Sequence, residues 1–162
     1  MSTNPSILPV VEQFNLQTRL FNNVLDGVKS SDGSKRANES LNHVSWQAGH
    51  LVFARYLLAG VLGVKDANPY KELYDKFRPL DPAVDYPSIE EAKTKFDEVT
   101  KKIMPLLENI SDEHLNTPLP FGTPIGDNTV RGMAAFIAHH EAYHIGQLAS
   151  LRRHLGYEGM KY

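Results

Sequence analysis

Residues Ala134–Gly156 read AAFIAHHEAYHIGQLASLRRHLG, and the period of this stretch decides the fold. Met133, Ile137, His140, His144, Leu148, Leu151 and Leu155 recur every three or four residues, which places them on one face of a helix. Gly156 follows the last periodic residue and predicts the stop. Successive helical residues rotate by about 100°, so His140 and His144 stand about 40° apart, one turn above the other. Both fall in the middle of the face that should point into a core. Two imidazoles so placed can chelate one divalent ion. The alternative is a pair of core histidines bonded to buried polar groups, which would require two independent sets of partners.

Three further segments carry the same period. The first runs from about Ser6 to Val28, through Ile7, Val10, Val11, Phe14, Leu20, Phe21, Val24 and Leu25. The second runs from about Ser40 to Leu62, with Gly63 as its stop. The third opens at Ser88-Ile89-Glu90-Glu91, a capping box in which the serine and the glutamate satisfy each other's free amides. It continues to about Ile110, and Pro105 should kink it or mark a local irregularity. The fourth spans about Thr129 to Leu155. Residues 68–87 carry four prolines with Tyr70, Tyr74, Phe77 and Tyr86, and can hold a short helix near Tyr70–Lys76. Thr117–Asn128, TPLPFGTPIGDN, is too rich in proline and glycine for a helix and predicts a tight hairpin or an irregular loop. No run alternates well enough for a large sheet. The expectation is an all-α fold, a four-helix bundle forming a single domain over residues 1–162.

Composition agrees. The chain has 162 residues, 41% hydrophobic and 22% charged, the balance of a folded domain. Seventeen basic against 19 acidic residues give a net charge of −2, without the basic surplus of a nucleic-acid binder or a polybasic membrane anchor. With no cysteine, disulfides, thiolate ligands and a cysteine nucleophile are all excluded. No secretory signal is visible in the first twenty residues. The most apolar stretch, Leu51–Val64, contains Arg55 and is too short to span a bilayer. These readings predict a soluble, cytoplasmic protein.

The run His140-Glu141-Ala142-Tyr143-His144 matches the zincin protease pattern. Only 18 residues follow His144, and Gln147 and Ser150 stand where a metzincin carries its glycine and third histidine. The protease reading is therefore rejected, and a third ligand must lie upstream. The inward stripe of the second helix can be drawn through His43, Gln47, His50, Ala54, Leu57 and Val61, with His43 and His50 seven residues apart, about 10 Å along the axis. Only one of them can reach a given ion. His50 sits mid-helix beside small Gly49 and is favoured. His43, near the helix start, suits capping or the surface, with a lesser claim to support the ligands from behind. His114 in a loop, His154 in the last turn, and His139 about 100° off the His140 face suit structural or solvated roles.

HEAYHIGQLASLRRHLG, with His140, His144, Gly146 and Gln147, resembles the closing helix of the DinB/YfiT-like metalloprotein superfamily. SWQAGHLVFARYLLAGVLG resembles that family's second helix, with His50 as its histidine. The resemblance implies a bundle whose middle connection crosses over, a metal site of His50, His140 and His144, and a homodimer. It also implies one divalent ion, zinc or nickel, with manganese or iron as alternatives. Metal-dependent transferases that use low-molecular-weight thiols, and hydrolase-like enzymes, occur among such proteins.

Three neutral imidazoles leave an open position on an ion, as in catalytic zinc sites. The expected function is a metal-dependent transferase or hydrolase acting on a small molecule. The alternative is a non-catalytic metal-binding or dimerising bundle, and a third reading is a metal-free interaction module. Among supporting residues, Glu141 can be a general base or simply an exposed helical glutamate. Gln147 can orient a ligand from behind or bond between helices. Gly146 suits close helix packing, Trp46 the core or the pocket wall, and the aromatics of residues 68–87 a cover for the site. Arg152 and Arg153 suit a solvated face.

Overall fold

The computed structural model describes residues 3–162, so Met1 and Ser2 of the expected domain lie outside the described residues. Four long helices form the body: α1 (Leu8–Leu25), α2 (Val44–Val61), α4 (Ile89–Glu108) and α6 (Val130–His154). Two single-turn helices, α3 (Lys71–Tyr74) and α5 (Asp112–Leu115), lie in the connections. Among the described residues no strand forms. Pro118 and Thr129 make one isolated antiparallel bridge, and Leu119 N–H donates to Asn128 O, so the proline- and glycine-rich loop closes as an irregular hairpin.

The helix starts follow local chemistry. The Ser88 hydroxyl accepts from Glu91 N–H at the start of α4, and the Thr129 hydroxyl from Gly132 N–H at the start of α6. These caps satisfy amides that have no partner inside the helix. Gly156 takes φ +87° just past α6, a conformation that side chains disfavour. Pro105 lies inside α4, which runs on to Glu108. The α5 turn, capped by Ser111, places His114 on a helix where a loop was expected.

Each long helix packs on two others: α1 on α4 and α6, and α2 on α4 and α6. Asn4 reaches Ile110 O at the far end of α4, so α1 and α4 are antiparallel. Arg131 bonds Ser6 O and Arg152 bonds Asn23 O and Val24 O, so α1 and α6 are parallel. The starts of α2 and α4 share one cavity and their ends share another, so these two are parallel as well. The order is up, down, down, up, and the connection 62–88 is the crossover. The Arg152 contacts tie down the last turn of α1, a role its expected solvated face did not include.

The core is a single apolar cluster. Ile89, Ala92, Phe96, Val99, Ile103 and Leu107 line the buried face of α4, where each large side chain contributes about 1.5–3 kcal/mol. The helix α2 is buried on nearly every side, and only Leu57 of its large apolar residues is exposed. At the centre, Arg55 is fully buried against Glu141. Its Nε and Nη2 donate to the two carboxylate oxygens at 2.7 and 2.5 Å. Its Nη1 donates to the hydroxyls of Thr18 and Thr100 at 2.9 and 2.5 Å. Those hydroxyls donate in turn to Phe14 O and Phe96 O. The guanidinium lies 3.8 Å from the Phe96 ring centre. One residue from each long helix thus joins a polar tie whose members are paired.

Candidate metal centre

His50 projects from the middle of α2, His140 and His144 from the middle of α6, and the packing of α2 on α6 brings them together. One nitrogen from each ring lies within 4.8 Å of the other two. His50 Nε2 and His140 Nε2 are 3.0 Å apart, close to the roughly 3.3 Å between two nitrogens bound to one tetrahedral ion at 2.0–2.1 Å. Burial lowers the pKa of His50 to about 3, with the neighbouring His140 and His144 adding to the effect. Burial likewise takes His140 to about 4, with His144 and His139 contributing. His144 is lowered by burial too. All three rings are therefore neutral near pH 7, as nitrogen ligands must be. The donor set and its spacing fit a divalent ion.

Behind the cluster stands Gln47. His144 Nδ1–H donates to Gln47 Oε1 at 2.6 Å, which leaves the Nε2 lone pair for the cluster. Nδ1 of His50 and of His140 are buried without a protein partner. Gln47 was legible as a member of the inward stripe of the second helix, three residues before His50, yet nothing in the spacing marked it as a partner for His144.

The walls are aromatic. Trp46 stacks on His50 with ring centres 4.7 Å apart. Tyr74, delivered by α3 in the crossover, lies 5.4 Å from the His50 ring and donates its hydroxyl to Trp46 O. Phe136 and Tyr143 border the α6 side, and Tyr143 is 59% exposed. Gly49 lets the crossover approach: a Cβ there would lie 2.2 Å from the Tyr74 hydroxyl and 2.8 Å from Pro87.

Several expected residues take other places. Glu141 is neither an exposed glutamate nor placed to act as a base. It is 0% exposed, both oxygens are held by Arg55, and α6 turns it into the bundle centre. Burial pushes its carboxyl pKa up and Arg55 opposes the shift. His43 caps α2, its Nδ1 accepting from Trp46 N–H, and is not one of the three clustered rings. Gln147 lies near His144, where its side chain offsets part of the effect of burial. It also donates to the Tyr143 hydroxyl, and its Oε1 is buried without a partner. Gly146 has no atom within 4 Å of where a Cβ would stand, so it makes no close helix contact. His139 and His154 are exposed.

A model for the DinB superfamily matches residues 13–148. Among solved structures, a conserved protein from Enterococcus faecalis is similar, with a TM-score of 0.62 and 16% identity over 91% of this chain and 95% of that chain. At that identity the likeness shows the fold. No curated protein matches the sequence.

Proposed function

This chain belongs to the DinB superfamily, and on that premise we propose that it binds one divalent ion through His50, His140 and His144 and catalyses attack of a low-molecular-weight thiol on an electrophilic small molecule, the sulfur bonding to the electrophilic carbon as the thiol proton passes to the group displaced. The carrying observation is a cluster of three neutral imidazoles with no carboxylate among them. Bound there, a divalent ion supplies Lewis acidity that lowers the pKa of a thiol or water in its open position. His50, His140 and His144 hold and orient it with neutral nitrogens. Gln47 fixes the tautomer of His144. Trp46 and Tyr74 keep water from one side of the site.

Glu141 is committed to Arg55 and offers a carboxylate base to neither a thiol nor a water, and the thiol reading is preferred on the family resemblance. A thiol needs no carboxylate partner once its own pKa falls near neutrality. Zinc and nickel suit three imidazoles, with manganese and iron as the alternatives. The reading takes the protein to act as a homodimer in the cytoplasm. None of its helices, among the described residues, is long and apolar enough to cross a membrane.

The test is elemental mass spectrometry of tag-free protein beside a His140→Ala variant. About one ion per chain, lost in the variant, is the expected result. No stoichiometric ion after incubation with zinc, nickel, manganese or iron(II) overturns the metal site. A loaded protein that is inactive with a panel of thiols and electrophiles, yet hydrolyses esters or amides, overturns the transferase assignment alone.

A further inference from the structure

A second group of donors without protein partners lines a cavity at one end of the bundle, apart from the three histidines. Because α2 and α4 run parallel, their first turns lie side by side there. Between them and the crossover is a cavity of about 460 Å³, whose polar lining includes Arg36, His43, Ser45 and Ser88. His43 is 6% exposed and Ser45 7%. His43 Nδ1 accepts from Trp46 N–H at 3.0 Å, so the neutral ring carries its proton on Nε2, the edge turned away from the helix. Among the described residues, neither this N–H nor the Ser45 hydroxyl has a protein partner. Two side chains, each more than nine-tenths buried as residues, thus offer the cavity donor atoms that bond no other protein group and reach its solvent.

The surrounding charge matches those donors. Arg36 is anchored through Nε to Leu41 O and through Nη2 to Glu39 O, which leaves Nη1 uncommitted. Burial and then the Arg36 charge hold the His43 pKa below its usual value, in keeping with a neutral ring. The positive ends of two helix dipoles, from helices of 18 and 20 residues, point to the same end of the bundle. The one carboxylate in the lining, Asp85, is exposed and free to turn toward solvent. Leu80, Val84 and the Tyr86 ring add apolar lining, the Tyr86 ring lying 5.3 Å from the His43 ring.

We propose that this cavity binds a small organic anion, a phosphate monoester or a carboxylate with an apolar or aromatic body. The anionic oxygens accept from His43 Nε2–H, the Ser45 hydroxyl and Arg36, and the body lies on the crossover wall. The site is separate from the histidine cluster and does not rest on the metal reading. Tyr74 stands between the two, 5.4 Å from the His50 ring and 6.1 Å from the Tyr86 ring.

The experiment titrates phenyl phosphate, benzoate and inorganic phosphate into the full-length protein while the imidazole nitrogens are followed by NMR. Saturable binding of an aromatic anion that shifts the His43 signals is expected. Its affinity should fall about tenfold or more in Arg36→Gln, Ser45→Ala and His43→Asn, since each removes a donor to a charged group. Asparagine preserves a capping acceptor at the start of α2, and the other two variants leave that cap untouched. His50→Ala should bind the anion as the parent does. Preference for phenyl phosphate identifies a phosphate ester, and preference for benzoate a carboxylate. Failure of both aromatic anions to saturate below about 10 mM, or equal affinity in all variants, overturns the proposal.

Discussion

The 2.6 Å hydrogen bond from His144 Nδ1–H to Gln47 Oε1 decides which nitrogen of that ring faces the cluster. Gln47→Leu keeps the size of the side chain and removes the acceptor. Metal affinity, measured by chelator competition, is expected to fall about 10–100-fold, the usual effect of removing such a partner. The two glycines near the site should respond in opposite directions. Gly49→Ala drives a methyl group into Tyr74 and Pro87 and should cost about 1–3 kcal/mol in urea unfolding. Gly146→Ala meets nothing and should stabilise by up to about 1 kcal/mol through helix propensity. The sequence alone showed that His140 and His144 share a face, because a one-turn spacing is a property of the helix itself. It could not show what Gln47 touches, because that partner lies 97 residues away. For the same reason it left Glu141 as base or surface residue: its place depends on where Arg55 arrives from α2.

Between elements, the buried Arg55–Glu141 pair is the point at which all four long helices meet. Arg55→Met leaves a carboxylate buried with no countercharge and should destabilise by about 3–5 kcal/mol. The double variant Arg55→Met with Glu141→Met removes both charges and should recover most of that loss in the same denaturation assay. If the double variant is as unstable as the single one, the charge pair is not the source of the effect. The same tie sets the register of α2 against α6, since Arg55 is five residues from His50 and Glu141 adjoins His140. Periodicity revealed the four helices to within a few residues at each end, because amphipathic faces and caps are local. It misjudged α2, where Leu57 of the expected inward stripe is exposed. A helix covered on nearly every side has no single apolar face to find.

At the scale of the molecule, a ligand that joins α2 to α6 must stabilise the folded chain. With zinc at about one hundred times its Kd, linkage predicts a gain of about 2.7 kcal/mol. For a chain of this size that is a rise of about 5–10 °C in melting temperature. Calorimetry before and after chelation should show the gain and its loss, and His50→Ala should show neither. The bundle and the crossover were legible because helix count and connection lengths constrain the packing, with family likeness supplying the connectivity. The cavity at the shared start of α2 and α4 was not legible, because it exists only when two parallel helices bring distant first turns together.

Pairing the first helix with the last also has a consequence for how the protein is made. The apolar face of α1 waits for α6, and His50 waits for partners 90 residues further along the chain. At 5–20 residues per second that delay is roughly 5–20 s. During it the nascent chain presents an uncovered greasy surface to the cell. On the proposed metal reading, capture of the ion becomes a late event that must await α6, and a prematurely terminated chain becomes a client for chaperones or proteases rather than a half-working protein.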